Sequence, residues 1–101
     1  MPLTSRQARY LRALAHHLHP IVRVGSAGVS DAVVDKTDKE LEIHELVKVR
    51  IDGDREEVRE DAARLAAGTR SEIAQLIGKT VVLYRARKEE PTIVLPKAKA
   101  E

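Results

Sequence analysis

The sequence predicts an α/β domain in which three helices pack on a four-stranded mixed sheet, in the order α-β-α-β-α-β-β. Runs of β-branched residues alternate with segments whose apolar residues recur at helical spacing. Two strand–helix–strand crossovers imply parallel pairing, and a tight turn at Gly78 and Lys79 joins the last two strands as an antiparallel hairpin. Several strands carry apolar residues at both odd and even positions, so we expect helices on both faces of the sheet.

Length and composition indicate one globular domain over residues 1–96, followed by a disordered polar tail over residues 97–101. Of the 101 residues, 43% are hydrophobic and 34% are charged, a balance that supports a buried core. The absence of cysteine excludes disulfides, thiolate metal sites and cysteine nucleophiles. No apolar run approaches membrane-spanning length and no signal-peptide core is present, so we expect a cytoplasmic protein without membrane association.

The first helix is predicted over residues 4–18, and Pro20 ends it. Thr4 and Gln7 have the spacing of a capping box at its start. Four apolar residues fall on one face of this helix: Leu11, Leu14, Ala15 and Leu18. Three arginines fall on the opposite face: Arg6, Arg9 and Arg12. An arginine face is usually a solvated surface, but the lack of any acidic residue on it favours a binding surface.

The histidine cluster of His16, His17 and His19 near the end of this helix is not expected to bind a metal. The chain has no cysteine, and no acidic residue lies near the cluster in sequence. A helix C-terminus favours cationic histidine, and that explanation is sufficient.

Residues 21–24 form a short predicted strand, and residues 25–28 (Gly-Ser-Ala-Gly, the GxxG loop) follow it. A glycine at each end of the loop allows positive φ angles and the close approach of another backbone. A helix that begins at residues 29–31 would present its N–H groups and the positive end of its dipole to a phosphate. The alternative is an ordinary strand-to-helix turn, and the GxxG spacing alone does not decide between the two.

The second helix is predicted over residues 29–44. Four acidic residues line one side of it and form an acidic stripe: Asp31, Asp35, Asp38 and Glu42. The stripe should face water or a basic protein, because it would repel phosphate. Residues 46–51 then alternate with period two, as in a half-buried strand.

The third helix begins at the N-cap Asp54, with Glu57 at the third helical position, and Gly68 sits where a C-terminal glycine is favoured. Residues 71–77 and 80–87 are two further predicted strands. Residues 91–96 are predicted as a short edge strand bounded by prolines.

Charge is segregated along the chain although the net charge is only +2. Residues 1–28 carry four arginines and no acidic residue, whereas residues 29–45 carry six acidic residues and two lysines. Residues 80–88 carry three basic residues and no acidic one. Basic residues also fall towards the later positions of the strands, where helix coverage is expected to run out: Arg23, Lys48, Arg50, Arg85 and Arg87. Such local patches are sufficient for a polyanionic partner.

No enzymatic site or cofactor is predicted. Gly78, Lys79 and Thr80 resemble the end of a P-loop, but Ile73 replaces the required glycine and a strand follows in place of a helix. No general acid–base pair or serine–histidine arrangement is evident in the sequence. Phe and Trp are absent and Tyr10 and Tyr84 are the only aromatics, which excludes a stacking platform of the RRM type.

Four blocks of the sequence resemble the CRM domain (chloroplast RNA splicing and ribosome maturation) in its single-domain bacterial, YhbY-like form. They are residues 14–16 (Leu-Ala-His), residues 22–29 around the GxxG loop, residues 44–49 (His-Glu-Leu-Val-Lys-Val) and residues 77–85. The resemblance extends over residues 3–96. The third and fourth blocks are specific, whereas the GxxG spacing is not.

The resemblance implies an RNA-binding fold related to the C-terminal domain of bacterial translation initiation factor three. It implies a GxxG loop that clamps a nucleic-acid backbone as in KH domains, and association with large-subunit ribosomal precursors. The candidate RNA-binding residues are the loop and the surrounding cations: Gly25, Ser26, Ala27, Gly28, Arg23, Arg6, Arg9, Arg12, Lys48, Arg50, Lys79, Arg85 and Arg87. We expect a monomer.

A second hypothesis belongs to a different class of function. The acidic second helix would dock on a basic protein, and the GxxG loop would be only a turn. Neither charge pattern nor spacing excludes this protein–protein module.

Overall fold

The computed structural model describes residues 3–97 and has the predicted element order. The elements are α1 (Ser5–Ala15), β1 (Val22–Val24), α2 (Asp31–His44), β2 (Leu46–Ile51), α3 (Arg55–Thr69), β3 (Glu72–Ile77) and β4 (Thr80–Tyr84). The mixed α/β class, with three helices and four strands, is therefore confirmed. The predicted disordered tail lies outside the described residues except for Lys97.

The strand order in the sheet is β1-β2-β4-β3. Strand β1 pairs with β2 in parallel, and β4 pairs antiparallel with both β2 and β3. The parallel pairing predicted for the first crossover is correct. The second crossover does not produce a parallel pair, because the returning strand β4 lies between β2 and β3 and pairs with both.

Two hydrophobic clusters, one on each face of the sheet, form the core. Helices α2 and α3 cover one face, where Leu41 and Leu65 pack on strand residues such as Val49. On the other face, Leu11 and Ala15 of α1 pack over a smaller apolar area: Leu46, Ala74, Val82 and Tyr84. The expectation that the N-terminal helix covers the face left by the other two is confirmed, and Tyr84 is a core residue.

Two capping boxes set the starts of α1 and α3 as predicted. The Gln7 N–H donates to Thr4 Oγ1 at 3.1 Å, and the Thr4 N–H donates back to Gln7 Oε1 at the same distance. Asp54 and Glu57 make the equivalent pair at α3. Helix α1 ends at Ala15, three residues earlier than the apolar periodicity indicated.

Gly68 does not end α3, contrary to the prediction. It lies inside the helix, and a Cβ there would meet both methyl groups of Val34 at 3.3 Å. A larger residue would have to displace Val34 by a few tenths of an ångström, so glycine favours the close approach of α2 to α3. The helix is capped by Arg70, which adopts the left-handed conformation at φ 56°.

The segment over residues 91–96 is not a strand, and β4 ends at Tyr84 rather than at residue 87. The fully buried carboxylate of Glu45 replaces a neighbouring strand as the acceptor for this segment. The amides of Arg87, Thr92 and Ile93 donate to it at 2.9, 2.7 and 3.0 Å, and the Thr92 hydroxyl donates at 2.7 Å. Gln7 Nε2 donates to the Pro96 carbonyl at 3.0 Å and holds the end of the segment on α1.

Within residues 3–97, none of the helices is both long and apolar enough to cross a membrane.

Candidate nucleic-acid interface

The GxxG loop is a closed turn between β1 and α2. The Gly28 N–H donates to the Gly25 carbonyl at 3.0 Å, and Gly28 has φ +85°, a region that favours glycine. The first three residues of the loop are exposed. Helix α2 begins at Asp31, and its N-cap Ser30 accepts from the Val33 N–H at 3.2 Å. The loop therefore leads into a helix N-terminus, as predicted, with the start at the late end of the expected range.

The two glycines of the loop differ in their surroundings. A Cβ at Gly25 would meet no atom within 4 Å, whereas a Cβ at Gly28 would lie 3.9 Å from the Asp61 carboxylate of α3. The space beside Gly25 is open to an approaching group. Gly28 is needed for the backbone conformation, and a negative charge at this position would also face Asp61.

Three turns meet at the edge of the sheet where the parallel strands β1 and β2 end. The Asp52 N–H donates to the Val24 carbonyl at 2.9 Å, which joins the GxxG loop to the turn after β2. The Ile51 N–H donates to the Lys79 carbonyl at 2.8 Å, which adds the β3–β4 turn. We refer to this edge as the loop end of the sheet.

Basic side chains extend from the loop end onto the face that α1 covers only in part. Arg23 and Arg50 are register partners, and their strand neighbours Val24 and Ile51 point into the core beneath α2 and α3. Because side chains alternate along a strand, the cations project from the opposite face. Arg23 and Arg50 are exposed and Lys48 is half-buried. With Lys79 of the adjoining turn, they form the basic sheet face: Arg23, Lys48, Arg50 and Lys79.

Asp52 lies between the two arginines of this face. Arg23 donates to Asp52 Oδ2 from Nη2 at 2.9 Å and from Nε at 3.1 Å, and Arg50 Nε lies 3.9 Å from Oδ1. The Arg23 side chain is 69% exposed in this ion pair. Exposed ion pairs contribute little, about 0–1 kcal/mol, so the guanidinium groups can be drawn to a phosphate. Asp52 was not predicted as a site residue, although it directly follows the strand that carries Lys48 and Arg50.

Arg85 and Arg87 are not part of this surface. They follow β4 at the end of the sheet opposite the GxxG loop, where Leu46 pairs with Tyr84. Arg85 is turned towards α2 and α3, where it meets Asp38 Oδ1 and the Thr69 carbonyl at 2.6 Å each and Glu42 Oε2 at 3.3 Å. Arg87 donates to the carbonyls of Ile43 and Glu90.

Arg9 and Arg12 of α1, which the sequence predicted as RNA-binding residues together with Arg23, lie away from the basic sheet face. Arg9 and Arg12 line a groove with Ser71 and Glu72. This groove lies at the start of β3, because Glu72 pairs with Tyr84 at the end opposite the GxxG loop. Helix α1 crosses the sheet between the two regions.

Within residues 3–97, no group of three histidine or acidic side chains is placed to hold a metal ion. Two of the clustered histidines are instead packed edge to face, with the rings of His16 and His17 5.3 Å apart and 79° between their planes.

The four-stranded sheet with a GxxG loop, a helix N-terminus and cations at one end defines an α/β domain of the CRM type. The chain belongs to the CRS1/YhbY (CRM) domain family, whose family model matches residues 3–85.

Relatives in two bacteria match nearly the whole chain. A Bacillus subtilis protein named "Probable RNA-binding protein YqeI" is 45% identical over 95 residues, which cover 93% of this chain and 99% of the relative. A Haemophilus influenzae protein named "RNA-binding protein" is 38% identical over 96 residues, 94% of this chain and 96% of the relative.

A solved structure has the same fold. The solution structure of a hypothetical protein from Staphylococcus aureus superposes with a TM-score of 0.82 at 41% identity, over 93% of this chain and 99% of that one. The similarity in sequence and in structure therefore extends across the elements that carry the loop and the basic sheet face.

Proposed function

We propose that this protein binds RNA at the loop end of the sheet, and that its target is ribosomal RNA in precursors of the large subunit during ribosome assembly in the cytoplasm. The observation that carries the proposal is the meeting of the GxxG loop, the N-terminus of α2 and the basic sheet face at one end of the fold. The proposed activity is binding rather than catalysis.

Phosphate contact at this site divides into two parts. The exposed loop allows the protein backbone to approach the RNA strand closely. The N-terminus of α2 contributes the positive end of the helix dipole. Neither Ser26 nor Ala27 is basic, so the cations must come from the adjoining strands and turn. Arg23 and Arg50 are placed side by side to provide them.

The names of the relatives support the RNA part of the proposal, since proteins from Bacillus subtilis and Haemophilus influenzae are named as RNA-binding. The ribosomal target rests on the family resemblance of the sequence. The chain is basic, with a sequence pI near 9.1, and this charge is compatible with a polyanionic partner.

The competing protein-docking hypothesis is weakened by the ion pairs of the acidic stripe. Arg85 forms ion pairs with Asp38 and Glu42, so two of the four acidic residues of the stripe already have a cationic partner within this chain. Co-purification from cells after nuclease treatment separates the two hypotheses. Ribosomal proteins should be lost with the RNA, and their retention would favour docking.

The test of the proposed target is ultraviolet crosslinking in growing cells followed by sequencing of the bound fragments. Wild type is compared with an Arg23→Gln, Arg50→Gln double variant and with Asp35→Asn, an exposed carboxylate on α2, as the control. We expect large-subunit precursor fragments for wild type and control, and a marked loss for the double variant. Crosslinks spread over unrelated RNAs, or equal recovery with the double variant, would contradict the proposal.

A further inference from the structure

A groove beside the basic sheet face is not accounted for by phosphate binding. It has a volume of about 490 Å³ and lies between the end of α1, the first half of β2 and the C-terminal segment. Five apolar side chains form its wall: Leu14, Leu18, Ile21, Leu46 and Ile93. The first three are exposed, Ile93 is half-buried and Leu46 is buried. We refer to it as the α1–β2 groove.

Polar groups line the rim of the α1–β2 groove. They are three histidines and one lysine: His17, His19, His44 and Lys48. The rings of His17 and His16 pack edge to face directly after α1. Apolar walls with a few polar groups are typical of sites for small molecules, and the volume lies in the usual range for such sites.

The groove is continuous with the basic sheet face through Lys48, which belongs to both. The Ile21 N–H donates to the Lys48 carbonyl at 3.1 Å and fixes the groove wall to β2. From Arg50 to Leu46 the path along β2 is about 13 Å, at a rise of roughly 3.3 Å per residue. An RNA strand that binds Arg23 and Arg50 and follows β2 towards Leu46 would pass the mouth of the groove.

We propose that the α1–β2 groove binds one unpaired nucleobase of the RNA, an inference that rests on the proposed RNA-binding function. Lys48 meets the phosphate or sugar at the mouth, the base lies on the leucine and isoleucine side chains, and the His17 ring stacks on it. Proteins recognise single-stranded RNA by placing splayed bases on aromatic side chains, histidine included. The chain has no Phe or Trp, and the aromatic ring at this site is a histidine.

A spectroscopic titration tests the inference. The protein, labelled at its leucine and isoleucine methyl groups and its backbone amides, is titrated with ten-nucleotide oligouridine and oligoadenosine. A ten-unit ribose-phosphate strand without bases is the matched probe. We expect both kinds of strand to shift the amides of residues 25–28, and only the base-containing RNAs to shift the methyl groups of Leu14, Leu18, Ile21 and Ile93.

The outcomes distinguish the base site from RNA binding itself. If the RNAs shift the loop amides but leave the groove methyl groups unmoved, or if the strand without bases moves them equally, the base site is wrong and RNA binding stands. An apolar protein side chain would then be the occupant to consider. If no strand shifts the loop amides, the proposed function fails and the inference falls with it.

A second measurement uses substitution of an exposed ring. His17→Ala should weaken binding of the base-containing RNAs roughly five-fold or more, the lower range for one stacked base, and leave the strand without bases unaffected. Tyr10→Ala removes an exposed aromatic side chain from α1 outside the groove and serves as the control. Equal losses for both variants, or no loss for His17→Ala, would overturn the inference.

Discussion

The buried carboxylate of Glu45 allows a quantitative prediction about how the C-terminal segment is held. Burial by itself raises the pKa of Glu45, but hydrogen bonds from the Arg87 amide, from the hydroxyl and amide of Thr92, and from the Ile93 amide outweigh it. Together they lower the pKa from 4.5 to about 2. Burial of the phenol, together with the nearby charge of Glu45, raises the pKa of Tyr84.

A carboxyl group whose pKa is lower in the folded state than in the unfolded state stabilises the fold above its unfolded pKa. That contribution is lost as the pH falls through the folded value. From the two pKa values it amounts to about 3 kcal/mol. Glu45→Gln should therefore lower the free energy of unfolding by about 3 kcal/mol at pH 7, since the amide cannot accept four donors as a carboxylate does. The difference from wild type should shrink between pH 4.5 and about 2.

Urea titrations of both proteins at several pH values between 7 and 2.5 measure this difference. Asp35→Asn, which removes an exposed carboxylate from the same helix, is the control and should change the free energy of unfolding little. A difference for Glu45→Gln that stays constant down to pH 2.5 would refute the reasoning, because the cost would then come from packing and not from charge. So would a difference below 1 kcal/mol at pH 7, about a third of the value predicted from the pKa.

Three further predictions concern the basic sheet face and are measured as affinity for large-subunit ribosomal RNA fragments. Four phosphate contacts predict a slope of about −3 for log affinity against log salt, and a slope near zero would exclude backbone contact. Asp52→Asn should tighten binding, because it removes the negative charge that Arg23 and Arg50 share; weaker binding would contradict this. Arg23→Gln with Arg50→Gln should weaken binding and reduce the slope by about one per contact, more than Arg9→Gln with Arg12→Gln. The reverse order would place the RNA on α1.

Local chemistry made most of the elements predictable. The capping boxes at Thr4 and Asp54, the period-two strand over residues 46–51 and the glycine turn at residues 78–79 are short-range signals, and the structure contains all of them. The apolar residues on both faces of the strands were sufficient to predict that α1 covers the second face.

The errors arose where contacts distant in sequence decide the structure. Glycine is typical of a helix end, but the contact of Gly68 with Val34, about a third of the chain away, makes it an interior packing residue. Residues 91–96 have the composition of a strand, but the amides of Thr92 and Ile93 donate to the side chain of Glu45 and not to a neighbouring strand. Neither partner can be identified from local periodicity.

The candidate site was likewise predictable where neighbouring strands bring its residues together, and not where distant contacts place them. The GxxG loop, Arg23 and Arg50 could be placed together because they end two parallel strands of one sheet. Arg85 was grouped with them by charge alone, and its ion pairs with Asp38 and Glu42 join segments more than 40 residues apart. The arginine face of α1 could not be positioned, since the path of the helix over the sheet depends on packing rather than on its own sequence.

The central claim is that RNA approaches the backbone of the GxxG loop beside Gly25. The most direct test is the affinity of wild type, Gly25→Ala and Gly25→Asp for a large-subunit ribosomal RNA fragment, with thermal unfolding recorded for each. Both substitutions enter open space at a residue that does not have a positive φ, so the unfolding temperatures should agree. A substitution at Gly28 would be strained and is less suitable. We predict that Gly25→Ala binds nearly as wild type and that Gly25→Asp binds about ten-fold more weakly, because the added carboxylate repels a nearby phosphate by about 1.4 kcal/mol. Wild-type affinity for Gly25→Asp with unchanged unfolding would contradict the account and leave the loop as only a turn.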